Sequence, residues 1–122
     1  MAAILGSYRD AVAFRPERFN PVSVAAGAHM KAVLTCLEPG QFIPIHRPGV
    51  DMALIILEGD GQVVSGDTQE AVQAGAVIFV PAGEARGVKA QTRLVALHVV
   101  APLSTEKDHF DVTAKLKQGN WR

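Results

Sequence analysis

His46, Arg86 and His98 are the side chains of this sequence best placed to do chemistry. Imidazole titrates near pH ~6.5, so a histidine can serve as a base at neutral pH without much tuning. Arg86 would offer a guanidinium, a fixed cation whose forked donors fit a carboxylate or phosphate in bidentate fashion. His98 sits inside TRLVALHVV, and a histidine in so apolar a run must find a polar partner somewhere. Asp51 and Glu84 are the carboxylates available to orient a base; together with Glu38 they are those available to a metal. The single cysteine, Cys36, has nothing nearby to lower its pKa and reads as a small core residue, not a nucleophile.

Short strands must position these residues. From Pro39 to Gly59 and from Gly75 to Arg86, glycine- or proline-marked turns join apolar runs rich in Val, Ile and Phe, as in an all-β core. HMKAVLTCL, from His29 to Leu37, alternates as a strand whose face of Met30, Ala32, Leu34 and Cys36 is apolar throughout. Phe42, Pro44, His46 and Pro48 share one parity of an extended segment, which its prolines confine to an edge or to irregular backbone. Met52 to Leu57 is a strand apolar on both faces. Gln62 to Ser65 and Glu70 to Gln73 pair around a Gly66-Asp67 turn, Ala76 to Val80 follows, and Thr92 to Val100 is the last clear strand. There Leu94, Ala96, His98 and Val100 share a face that the sequence assigns to neither inside nor outside.

The ends are less regular. Ala11 to Phe14 is a candidate strand and Arg15 to Pro21 a connection, with Phe14 and Phe19 packing on the body or on a second subunit. After Pro102, Ser104 or Thr105 can cap a helix that carries Glu106 and Asp108 early, Lys115 and Lys117 late, and a stop at Gly119. Phe110 and Ala114, with Val112 or Leu116, form its apolar stripe, and Trp121 is a packing anchor. His29 and His109 lie in polar surroundings and are expected to be exposed.

The two long stretches resemble the paired signature of the cupin family, a small jelly-roll barrel. The first signature expects Gly, five residues, His-x-His, a short gap, Glu, six residues and Gly; Gly40, His46, Pro48, Met52 and Gly59 stand at those places. The second expects Gly, five residues, Pro-x-Gly, two residues and His; here stand Gly75, Pro81, Gly83 and Arg86. The resemblance runs from Val33 to Pro102 and implies one all-β domain over 1–122: an N-terminal strand or arm (1–28), a barrel (29–102), and a C-terminal helix and tail (103–122). In cupins with a metal, two His, a Glu and a third His converge inside the barrel. Of these only His46 remains, since proline has no side-chain donor, methionine suits soft ions, and arginine repels a cation. The expectation is no metal and no cofactor. A pocket is also implied, with Phe42, Met52, Leu54 and Ile56 as apolar wall and His46, Arg86 and an inward His98 as polar groups. A core histidine bonded to a backbone carbonyl, an outward histidine at a dimer interface, and an Arg86 turned to solvent stay open as alternatives.

Composition excludes several function classes. Hydrophobic residues make up 48% and charged ones 20%, the balance of a folded globular chain. Twelve basic residues offset twelve acidic ones, so the totals carry no footprint for nucleic acid or an anionic membrane. No apolar run approaches a membrane span, MAAILGSYRD lacks the marks of a signal peptide, and one cysteine permits no internal disulfide; a cytoplasmic setting is expected.

Three functional readings follow. The first is a metal-free protein holding a small organic ligand in the barrel, with Phe42, His46, Met52, Arg86 and His98 as its contacts and Arg86 favouring an acidic group. The second is a metal-independent isomerase or epimerase, by analogy with sugar epimerases that share the barrel, with His46 as catalytic base, Asp51 or Glu84 orienting it, and Arg86 holding an oxyanion. The third is a residual dioxygenase-like metalloenzyme using His46, His98 and an outside carboxylate. Strands apolar on both faces also call for a homodimer.

Overall fold

The computed structural model describes residues 3–102 and 106–122, with side chains described outside 106–110. Among the described residues nine strands form: β1 (Asn20–Ala26), β2 (Lys31–Leu37), β3 (Phe42–His46), β4 (Asp51–Glu58), β5 (Asp60–Ser65), β6 (Thr68–Gln73), β7 (Val77–Val80), β8 (Arg86–Ala90) and β9 (Leu94–Ala101). They pair antiparallel in two sheets, β1-β2-β9-β4-β7 and β3-β8-β5-β6. One helix, α1 (Glu106–Gln118), follows. The result is an all-β jelly roll with a C-terminal helix.

The inward faces build one core from Leu37, Met52, Leu54, Ile56, Val80, Leu94 and Ala96 on the larger sheet and Ile43, Val63, Val88 and Ala90 on the smaller. Gly59 makes the crossing between sheets possible where β4 hands over to β5. Its φ is 83°, and a Cβ there would lie 1.9 Å from the carbonyl oxygen of Arg93, so any other residue would collide with backbone.

The apolar face of β2 turns outward, not into the barrel. Leu34 and Cys36 pack with Val95 on the outer face of the larger sheet, beneath Tyr8, Ala11, Val12 and Phe14. Cys36 is wholly buried, as a core thiol should be, and burial pushes its pKa up. The other parity, Lys31, Val33, Thr35 and Leu37, is the one that faces inward.

The N-terminal expectation needs correction. Tyr8–Ala11 is a single 3-10 turn capped by the Ser7 hydroxyl, which accepts from Arg9 N–H at 3.3 Å, and no strand forms at 11–14. The strand lies later, at Asn20–Ala26, through the proline assigned to a connection. β1 is an edge strand, the place in a sheet where a proline such as Pro21 is tolerated. β8 is a further strand that the sequence does not reveal, since RGVKA shows neither clean alternation nor a β-branched run.

α1 ends at Gly119, as expected, in a Schellman arrangement. Gly119 N–H donates to Leu116 O at 3.2 Å and Asn120 N–H to Lys115 O at 2.9 Å, with φ 70° at the glycine. Val112 is buried and Leu116 packs against the same core, whereas Ala114 is exposed, so the core-facing stripe is Val112 and Leu116. Ser104 and Thr105, and the side chains of Phe110 and His109, fall outside the described residues. The helix and its tail cover the open edge of β3: Ile45 N–H donates to Trp121 O at 2.6 Å, and Lys115 Nζ donates to Ile45 O. An unpaired strand edge is thereby protected.

Candidate functional site

A cavity of about 370 Å³ opens between the sheets, within the size range of small-molecule sites, roughly 300–1,000 Å³. One wall comes from the inward parity of β2 and β9 with Met52 of β4. The other comes from Ile43 and His46 of β3 and Arg86 and Val88 of β8, and α1 contributes Val112 and Thr113.

The alignment of His46 with Arg86 depends on an irregularity in β3. Phe42 pairs with Lys89 and Ile43 with Val88, but His46 pairs with Arg86, so one extra residue is accommodated between Ile43 and His46. The bulge contains Pro44, which cannot donate to a ladder. It puts Ile43 and His46, three residues apart, on the same inward side. Phe42, expected on the pocket wall from simple alternation, is therefore not among the lining residues, and Ile43 takes that place.

The bulge also sets the imidazole. His46 Nδ1 lies 2.7 Å from the carbonyl of Pro44. A carbonyl only accepts, so Nδ1 carries the proton and Nε2 is the nitrogen whose protonation decides the charge of the ring.

Arg86 is only 3% exposed, and its Nη2 donates to Pro81 O at 2.9 Å. Proline and glycine of the two sequence stretches hold the surrounding loops together. Gly83 N–H donates to Pro48 O at 2.9 Å, and Ala82 N–H donates to Asp51 Oδ1 at 2.8 Å. Arg86 thus lines the cavity from the first residue of β8, beside a loop cross-braced on both sides.

His98 faces inward as well, settling the parity that the sequence left open. Its Nδ1 lies 3.0 Å from Thr35 Oγ1, on the neighbouring strand. Burial, and then the charges of His46 and Arg86, push its pKa down to about 4, so the ring is neutral at pH 7.

No family model matches the chain, and no curated protein does. Solved structures do. TT1209 from Thermus thermophilus is 28% identical, with a TM-score of 0.76 over 80% of this chain and 96% of that one. An RmlC-like cupin protein from Desulfovibrio desulfuricans is 28% identical, with a TM-score of 0.74 over 84% of this chain and 98% of that one. A cupin superfamily protein from Desulfitobacterium hafniense, 16% identical, aligns with a TM-score of 0.69 over 75% of this chain and 84% of that one. The chain has the cupin fold.

At the four places that carry ligands in metal-bearing cupins stand His46, Pro48, Met52 and Arg86, and all four line the cavity. As a donor set they do not fit a divalent ion: one imidazole and one thioether face a buried cation. Among the described residues, no three His, Cys, Asp or Glu side chains converge as a metal site would require.

The carboxylates that could assist a base or hold a metal lie elsewhere. Asp51 caps the Pro81–Gly83 turn, Glu38 is paired with Arg93 at 2.6 Å, and Glu84 is exposed; none lines the cavity. Leu54 and Ile56, expected on the pocket wall, belong to the packed core and are absent from the lining. Conversely, Arg18, Lys31 and Thr35 line it although the sequence does not single them out. Lys31 and Thr35 alternate with Val33, a signal that is present but outweighed by the more apolar opposite face. Arg18 precedes a strand that the sequence does not reveal and gives no signal.

Proposed function

We propose that the cavity binds a small organic anion without a metal, with Arg86 and His46 holding its acidic group. The observation that carries this reading is Arg86 itself: a buried guanidinium on the cavity wall, directly across the ladder from an imidazole. A charge-assisted bond to such a donor contributes about 1.5–3 kcal/mol, and the apolar lining from Ile43, Val50, Met52, Val88 and Val100 suits a hydrocarbon body. Titration calorimetry of chelator-treated protein with butyrate and hexanoate tests it. Binding that survives chelation and weakens at least tenfold in Arg86→Gln supports the reading; binding restored only by added metal, or indifferent to that substitution, overturns it.

A second reading, His46 as the base of a metal-independent isomerase, draws support from the Nδ1–H bond to Pro44, which leaves Nε2 as the proton-transferring atom. Solvent deuterium entering sugars or keto acids, and abolished by His46→Ala, is its expected signature. We also propose a homodimer through the outer face of the larger sheet. There Val77 and Phe79 on edge strand β7 are 72% and 62% exposed, and Ala53, Ile55 and Val99 continue the apolar surface.

A further inference from the structure

Arg18 and Lys31 are cations of this cavity that the sequence does not announce; Lys31 lies toward the Arg86 end, and Arg18 does not. The Arg18 guanidinium carbon lies 4.6 Å from the centre of the Phe19 ring, and Phe19 is itself part of the core. Stacking of this kind fixes the plane of the guanidinium while leaving its in-plane N–H donors directed past the ring edge. Among the described residues, Arg18 Nε is buried with no hydrogen-bond partner, and Arg18 makes none of the ion pairs found. A buried donor in a wall that faces a cavity is a position for a ligand acceptor.

The ladder registers place the two arginines' attachment points toward opposite ends. Lys31 pairs with Val100, Val100 with Met52, and Met52 with Val80; the next residue, Pro81, accepts from Arg86. The head of Arg86 is therefore level with the Lys31 end of β2. Arg18 precedes Asn20, which pairs with Cys36, so it enters from the Leu37 end, roughly 16 Å away along the strand backbone at ~3.3 Å per residue. Between the ends lie Val33, Ile43, Val88 and the His98–Thr35 pair, a stretch neutral at pH 7. No Asp or Glu is among the described residues lining the cavity.

We propose that the ligand is an organic dianion, one acidic group on Arg86 and His46, the other on Arg18, with an uncharged body between. This rests on the anion-binding reading above and adds the second anchor. The test is calorimetry at pH 7.5 with succinate, glutarate, adipate and pimelate, each beside the monocarboxylate of equal carbon number. At least one dicarboxylate is expected to bind ten times or more tighter than its monocarboxylate. Arg18→Gln is expected to cut that advantage to within twofold, and Arg18→Lys to keep part of it. If no dicarboxylate outperforms its partner, or if Arg18→Gln leaves the advantage intact, the proposal is overturned. The first comparison uses the unaltered chain, so it decides even should Arg18→Gln fail to fold. Monocarboxylate binding that depends on Arg86, without a dicarboxylate advantage, removes the second anchor alone. Absence of binding by every member removes both readings.

Discussion

Acidification should weaken this fold through one residue. His98 titrates near 6.5 in an unfolded chain and near 4 in the native one, because burial, and then the positive groups beside it, disfavour the imidazolium. The native state thus prefers the neutral ring, and the unfolded state binds the extra proton between the two values. Stability from this source is complete above pH ~6.5 and falls as pH drops toward ~4. Each tenfold difference in proton affinity between the two states is worth about 1.4 kcal/mol, so linkage gives a loss of roughly 1 kcal/mol at pH 5.5 and roughly 2–3 kcal/mol at pH 4.5. Carboxylates titrate in the same range, so the comparison needs His98→Asn, whose amide can meet Thr35 but does not ionise. Urea denaturation of both proteins at pH 7.5, 6.5, 5.5 and 4.5, at one protomer concentration, reads the difference. The unaltered chain should lose stability relative to the variant by the amounts above. Parallel pH profiles, or an NMR titration placing His98 near its ordinary value, would refute the argument.

Other consequences follow from specific contacts. Gly59→Ala should destabilise by about 3 kcal/mol or more, adding a backbone collision to positive-φ strain, whereas Gly75→Ala, with φ 97° and nothing within 4 Å, should cost only about 1–2 kcal/mol; chemical denaturation gives both, and equal values would contradict the steric account. Cys36 should react with a thiol reagent only on unfolding, since it is fully buried and its pKa is raised; rapid labelling of the native protein would contradict its placement. Sedimentation at micromolar concentration should give twice 13.0 kDa, and Val77→Lys combined with Phe79→Lys should restore the monomer; a monomeric unaltered chain would remove the proposed interface.

The barrel was legible because its signals are local and redundant. Glycine and proline at Gly40, Gly59, Gly75, Pro81 and Gly83 bound each run, and the apolar residues of β4, β7 and β9 have no alternative to a sheet. The site was legible only in part. Alternation carries Phe42 to the wrong side because the bulge at Pro44 reverses parity within β3, and a single extra residue leaves no periodic trace. Parity misleads again at β2, where the more apolar face packs under the N-terminal segment, a tertiary contact unrelated to any local pattern. Arg18 enters the cavity from a connection whose path is set by long-range bonds, including Gln41 Nε2 to Arg15 O at 2.7 Å. The sequence shows that His98 needs a partner, but not that Thr35 supplies it.

We propose that a guanidinium inside this barrel, not a metal, receives the ligand. A crystal structure grown with hexanoate examines it most directly. The expected result is a carboxylate against the Arg86 guanidinium, with the alkyl chain among Ile43, Val88 and Val100. A divalent ion held by His46 and two further protein donors, or an Arg86 turned out to solvent with the cavity empty, would contradict it.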